Sequence, residues 1–307
     1  VNALKDTNIK IVGGRYGLSS KNTTPADIKS VFKMLENELK NNFTIGIVDD
    51  VTNTSLPKED YYIDLDDEEI LIYGFGSDGC VSASKDTLKI LGKNGYCVNG
   101  YFSYDSKKSG GITVSNLRFS KREIRAPFYV FNPRLVIITK DEYLKKFDFL
   151  DNIKDNGTLI INTKKTEDEI NIFLKNKDKE ILLRRNIKVY IIDAYDIAAS
   201  CGISGKVSKI IEMLLLNELK TENGYQLLKQ SIENSFRTKG QNIVDSNIKA
   251  IEIAVSSLKE IKINDTKTYD DDNNLDVIDK INKRMGDNLT VSEVEEFLDG
   301  RFPNSLS

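Results

Sequence analysis

With 307 residues the chain has room for about two domains of roughly 100–200 residues each, and 39% hydrophobic residues supply cores although 30% are charged and mean hydropathy is -0.37. The 44 basic and 47 acidic residues are interspersed and leave a net charge of -3, so no global field gathers nucleic acid or an acidic membrane. Histidine is absent and the cysteines are Cys80, Cys97 and Cys201 alone, which excludes a histidine base, Ser-His-Asp and Cys-His nucleophile pairs, histidine metal ligation and four-cysteine zinc or iron–sulfur ligation.

So few scattered cysteines suit a reducing, cytoplasmic setting. No uncharged apolar run approaches the ~18 residues of a membrane span.

Residues 1–63 read as the end of an upstream α/β domain plus a linker. A short strand is expected near Ile9–Val12, followed by Gly13, Gly14 and Gly17. A helix then begins near Thr24-Pro25, because threonine caps and proline suits the first helical position. Ile28, Val31, Phe32, Leu35 and Leu39 form its apolar face at 3.6-residue spacing. A strand at Phe43–Val48 ends in Asp49-Asp50. Two strands and a helix in roughly 55 residues cannot close a sheet, so the rest of that domain is expected before Val1, and the acidic stretch Pro57–Asp67 is its connector.

From residue 64 to 264 strands and helices alternate. Strands are expected at 70–73, 96–104, 112–119, 135–139, 158–162 and 187–192. Helices are expected at 80–91, 141–150, 166–174, 194–199, 207–219, 225–237 and 243–261. This pattern predicts an α/β fold, a mostly parallel open sheet with helices on both faces. Residues 265–307 open on a polar tract that cannot fold alone and continue into two weak helical stretches, a C-terminal strap and connector.

The stretch ILIYGFGSDG (Ile70–Gly79) has the composition of a strand, a glycine turn and a helix start. Glycines let the backbone lie close to a ligand, and free N–H groups with the positive end of the helix dipole favour an anion. The same composition also serves a turn that only packs a strand against a helix. Asp105 stands where a dinucleotide domain keeps its ribose-binding acid, but Lys107 and Lys108 follow it and favour an additional phosphate, as in NADP or coenzyme A. An exposed basic turn fits them equally. Arg118, Arg122 and Arg125 are expected to face solvent or a neighbouring domain. Asn162 ends a presumed parallel strand, on the edge where open α/β sheets bind ligands, and Asp193 follows the next strand in the same way. Cys80 sits at a helix start, where the dipole lowers a thiol pKa, but it has no base or resolving partner nearby in sequence.

Several motifs together resemble pyruvate:ferredoxin (flavodoxin) oxidoreductase: GGRYGLSSK (13–21), FTIGIVDDVT (43–52), GFGSDG (74–79), GYFSYDSKKSGGITVS (100–115), LRF (117–119), IRAP (124–127) and YIIDA (190–194). The likeness implies a multidomain enzyme that decarboxylates pyruvate with thiamine diphosphate and magnesium. Electrons pass through [4Fe–4S] clusters to ferredoxin or flavodoxin, and acetyl is transferred to coenzyme A. It makes residues 64–264 a gamma-type domain within a homodimer, expected to assemble with other domains of the same polypeptide. Neither a thiamine-binding signature nor a Cys-x-x-Cys run occurs in the 307 residues, so the resemblance places those cofactors elsewhere in the parent protein. Carried over residue by residue, Gly76, Ser77, Asp78 and Gly79 meet the pyrophosphate or adenosine of coenzyme A, Lys107 and Lys108 its phosphate charge, and Asn162 the same edge. Cys80, Ser82 and Ser84 depart from the threonine, glycine and asparagine the resemblance leads one to expect. The alternatives are a scaffold for interdomain and dimer contacts, a gamma-like module of another 2-oxoacid oxidoreductase, and a free-standing NAD(P) dehydrogenase.

Overall fold

The structure, a computed structural model, describes residues 4, 7–17, 22–47, 51–104 and 111–265. One compact unit takes the described residues up to Asp64 with Ala126–Tyr129; the other takes Leu65–Arg125 and the described residues from Val130 onward.

In the first unit, β1 (Gly14–Arg15) pairs in parallel with β2 (Phe43–Thr44), and α1 (Pro25–Glu36) lies between them in sequence. The start of α1 follows expectation. Thr24 Oγ1 accepts from Asp27 N at 3.3 Å while Thr24 N donates to Asp27 Oδ2 at 2.8 Å, a reciprocal cap. The face it buries does not. Ala26, Asp27, Ser30 and Met34 are buried, whereas Ile28, Phe32, Leu35 and Leu39 are exposed, because the core of Met34, Phe43 and Ile45 is too small to cover a second stripe. No strand forms at Ile9–Val12, and the expected strand at 43–48 is described only as Phe43–Thr44, its end lying outside the described residues.

The second unit runs β3 (Glu68–Phe75), α2 (Cys80–Lys93), β4 (Cys97–Tyr104), β5 (Ile112–Ser120), β6 (Leu135–Ile138), α3 (Tyr143–Lys146), β7 (Thr158–Asn162), α4 (Glu167–Phe173), α5 (Asn176–Arg184), β8 (Lys188–Ile192), α6 (Ala194–Ser200), α7 (Ser208–Glu218), α8 (Gly224–Phe236), α9 (Gln241–Ser256) and β9 (Lys259–Ile261). Its seven-stranded sheet has the order β4-β5-β3-β6-β7-β8-β9. β6, β7 and β8 run parallel to β3; β5 runs against β3 and β4 against β5, so β4 points the same way as β3, and only β5 and β9 are reversed. The mostly parallel sheet is therefore present.

Strict alternation splits the strands between two cores. Ile70, Ile72, Leu135, Ile137, Ile160 and Ile192 pack on one face with α2, α6, α7, α8 and α9. Leu71, Val136, Ile138, Leu159, Ile161, Val189 and Ile191 pack on the other with α3, α4 and α5. Three element assignments differ from expectation. The helix at 141–150 shrinks to the four residues of α3; α5, whose nine residues NKDKEILLR are mostly polar, was not anticipated; and the last helix stops at Ser256, after which β9 adds an antiparallel edge to β8. A three-residue strand carries no period of its own, so only pairing with β8 reveals it.

Arg118 corrects the expectation of a solvent or interdomain arginine. It is 1% exposed and lies opposite Glu69 across β5 and β3, with Nε 2.6 Å from Glu69 Oε1. Arg122 and Arg125 are exposed.

A second buried ionic group joins α2 to α7. Lys209 Nζ lies 3.1 Å from Asp86 Oδ2 and 2.7 Å from Glu212 Oε2, and Glu212 is 0% exposed. Burial pushes the Glu212 carboxyl up to about 7 although the Lys209 ammonium draws it down. Burial also disfavours the charged lysine, but two carboxylates flank it and hold it above its ordinary value. Glu212 is thus the member that gives up its charge. Its raised folded value means that the folded chain keeps a proton the unfolded chain has lost, so stability falls as pH rises from about 4.5 to about 7. Urea midpoints at pH 5 and pH 8 are expected to show Glu212→Gln relieving about 1–3 kcal/mol of that fall; an unchanged pH dependence in the variant refutes the assignment.

Candidate functional site

The turn after β3 is drawn together by one carboxylate. Asp78, 7% exposed, accepts from Phe75 N at 2.7 Å and Cys80 N at 2.8 Å, and its Oδ2 also accepts from the Thr139 hydroxyl at the end of β6. A charge at the first turn of α2 suits the helix dipole. It also means that the helix start already holds an anion of its own.

The other turn residues divide between fixed and open roles. Gly76 N donates to Gly111 O at 3.1 Å. Ser77 is exposed and takes a φ of 80°, a conformation a serine adopts only under constraint. Gly79, with φ 87°, is glycine for a packing reason as well: a Cβ there would stand 3.0 Å from Ser208 Cβ at the start of α7. At Gly74 an added Cβ would fall 1.9 Å from Cys80 Sγ. Cys80 is therefore a packing thiol. Burial, and then the Asp78 charge, pushes it up to about 12, the reverse of the lowering expected from its place at the helix start.

Asn162 does lie at the carboxyl edge, and its amide serves the fold. Nδ2 donates to Thr139 O at 3.1 Å and Oδ1 accepts from Ala194 N at 2.8 Å, clamping the ends of β6, β7 and β8. Asp78 and Asn162 thus meet on opposite sides of Thr139, a residue that sequence reasoning did not single out. Lys107 and Lys108 lie outside the described residues, as do Asp105 and the predicted strap at 265–307 beyond Asp265.

Beside this clamp a cleft of about 270 Å³ opens over the ends of β6, β7 and β8. Lys140, Asp141, Lys164, Lys165, Asp193 and Tyr195 are among its walls. Burial raises the Asp141 carboxyl, but hydrogen bonds from Lys165 at 2.6 Å and from Thr163 outweigh it, and the net shift is downward. Asp193 caps α6 by accepting from Asp196 N at 2.9 Å. The Tyr195 hydroxyl is raised by burial and then by Asp78 and Cys80. The signal that marks these residues is shared: each lies within the few residues that follow a parallel strand. Among the described residues no group of three histidine, cysteine, aspartate or glutamate side chains is placed to hold a metal. Among the described residues no helix is long and apolar enough to cross a membrane.

Comparison with known proteins agrees with this architecture. A pyruvate oxidoreductase subunit PORC from Thermotoga maritima superposes with a TM-score of 0.52 at 20% identity, over 64% of this chain and 99% of that one, which shows a shared fold. Pyruvate-flavodoxin oxidoreductase from Klebsiella pneumoniae is 36% identical over 97% of this chain, and pyruvate:ferredoxin oxidoreductase from Moorella thermoacetica 34% identical over 96%. The chain spans only 27% of the length of each. Residues 69–257, the whole span from β3 to the end of α9, match the family described as pyruvate ferredoxin/flavodoxin oxidoreductase, and to that family this chain belongs.

Proposed function

We propose that the chain is a gamma-type portion of a multidomain, cytoplasmic and homodimeric enzyme that oxidatively decarboxylates pyruvate to acetyl-CoA and passes electrons to ferredoxin or flavodoxin. Residues 1–63 close an upstream domain in this reading, 64–264 form the gamma-type domain and 265–307 connect onward. Thiamine diphosphate, magnesium and [4Fe–4S] clusters are held by other domains of the same polypeptide. The share of this portion is to bind coenzyme A, through Gly76, Ser77, Gly79, Lys107, Lys108 and the edge marked by Asn162, and to join its neighbours. The observation that carries the reading is the family match over residues 69–257, which takes in every strand of the seven-stranded sheet except β9.

In chemical terms the domain supplies a surface and no proton transfer. The exposed Ser77 and the carboxyl-edge lysines offer donors and positive charge to a nucleotide, while Asp78 fixes the turn from within. Calorimetric titration of the chain with coenzyme A is expected to give saturable binding that weakens in Lys107→Ala and Lys108→Ala. Absence of binding up to millimolar ligand, or indifference to both lysines, overturns the assignment of the site.

One observation favours a second reading, a scaffold whose glycine turn holds no ligand: the start of α2 is filled by the Asp78 carboxylate. Coenzyme A dependence of the parent enzyme that survives every change in residues 76–79 and 107–108 decides for the scaffold. Turnover of another 2-oxo acid in preference to pyruvate decides for a different member of the wider class.

A further inference from the structure

The starts of α2 and α7 meet at the glycine turn. An added Cβ at Gly79, the last turn residue before α2, would stand 3.0 Å from Ser208 Cβ, so the first residue of α7 backs the turn directly. Lys209 comes next, and its ammonium bridges the two helices. One contact crosses to Asp86 Oδ2 of α2 at 3.1 Å; the other stays within α7 and reaches Glu212 Oε2 at 2.7 Å.

The two contacts compete for one ammonium, and the proton on Glu212 sets the balance. A neutral carboxyl is a weak acceptor and leaves the ammonium to Asp86; an ionised one makes a charge-assisted bond, roughly twice as strong, and draws Lys209 back onto α7. Ionisation has a second cost. Glu212 is 0% exposed and among the described residues its Oε1 has no hydrogen-bond partner, so a charge there is unsolvated unless the helices part and admit water. From α2 it is faced by Asp86 and by Lys89, an ammonium in solvent 3.2 Å from Asp86 Oδ1. Asp78, Cys80 and Tyr195 stand toward the turn, and Glu68 and Arg134 pair at the far end of α7, where Arg134 also donates to Glu218 O. The buried residues of α6, α8 and α9, the other helices packed on α7, are uncharged.

We propose that Glu212 is a proton-operated latch between α2 and α7. Protonated, it leaves Lys209 on Asp86 and holds the start of α7 against Gly79; ionised, it releases that bridge and loosens the glycine turn as pH rises. The direction agrees with the linkage worked out above, in which ionising Glu212 acts against the folded arrangement. Because burial pushes this carboxyl up to about 7, the change falls in the neutral range. The latch acts on the seating of the turn and does not depend on whether the turn meets coenzyme A.

The test is a titration of the 307-residue chain between about pH 5 and about pH 8, a range that brackets the Glu212 midpoint, followed by the amide NMR signals of Gly79 and Ser208. In the parent chain both signals are expected to move together with a midpoint near 7. The movement should vanish in Glu212→Gln, which cannot ionise. Asp178→Asn is the control, because burial pushes the Asp178 carboxyl up to about 7 as well, on the opposite face of the sheet, and its loss should leave the movement intact. Asp86→Asn weakens the bridge from the α2 side and should place both signals, at the acid end of the range, near the parent's position at the alkaline end. Signals that stay fixed in the parent, a movement that survives Glu212→Gln, or one that Asp178→Asn abolishes instead, each overturns the latch. Should Glu212→Gln fail to fold, Asp86→Asn decides: signals unchanged from the parent at the acid end overturn the latch. Absence of coenzyme A binding removes the ligand reading and leaves every one of these outcomes as it stands.

Discussion

Replacing Arg118 by alanine is expected to cost the folded chain about 3–5 kcal/mol, the largest single effect among its ion pairs. The guanidinium is 1% exposed and faces Glu69, itself 7% exposed, across the β3–β5 ladder. Removing it strands a carboxylate whose other hydrogen bond, from Asn132 N at 3.2 Å, cannot offset burial of the charge. Exposed pairs of the same chemistry, Arg122 with Asp66 and Arg125 with Glu123, are worth about 0–1 kcal/mol by comparison. The double change Arg118→Met with Glu69→Leu removes both charges and is expected to recover most of the loss, since an apolar pair of similar volume tolerates the same site. Urea denaturation followed by circular dichroism reads both values. A single variant within about 1 kcal/mol of the parent chain, or a double variant no better than the single, sinks the assignment.

Asp78→Ala is expected to cost about 2–4 kcal/mol, because one carboxylate satisfies two backbone N–H groups and a threonine hydroxyl. Asp78→Asn keeps one acceptor oxygen and is expected to lose about half as much. A thiol reagent gives a local readout. Cys97 is exposed while Cys80 and Cys201 are buried, and Cys80 is held protonated first by burial and then by Asp78. In the parent chain Cys97 should react alone at early times; in Asp78→Ala, labelling of Cys80 should follow, since both causes that hold the thiol up are weakened. Loss of stability without faster labelling of Cys80 places the damage outside the turn.

Much of the central unit is legible in its residues. The apolar alternation of Ile70, Leu71 and Ile72, or of Leu159, Ile160 and Ile161, distributes neighbouring side chains to two opposed cores, and that is a statement about period alone. Caps are equally local: Thr24 with Asp27 and Thr166 with Glu169 lie three residues apart and close on themselves. The same local logic misleads at α1. Its 3.6-residue stripe is real, but which stripe is covered depends on what the unit has to pack against it, and the one containing Ile28 and Phe32 stays exposed.

Of the candidate site, residues determined the strand, glycine turn and helix of 70–91 and the edge position of Asn162, because these follow from turn chemistry and strand ends. Only the tertiary structure decided what those side chains do. Asp78 reaches Thr139 across 61 positions, Asn162 reaches Ala194 across 32 and Arg118 reaches Glu69 across 49. No local pattern encodes partners so far apart. Period and capping are set by neighbours within one or two turns, whereas the burial of a charge, the filling of a helix start and the lining of a cleft are set by which strand ends the sheet order brings together. That is why a glycine turn that reads as an anion cradle holds its own carboxylate.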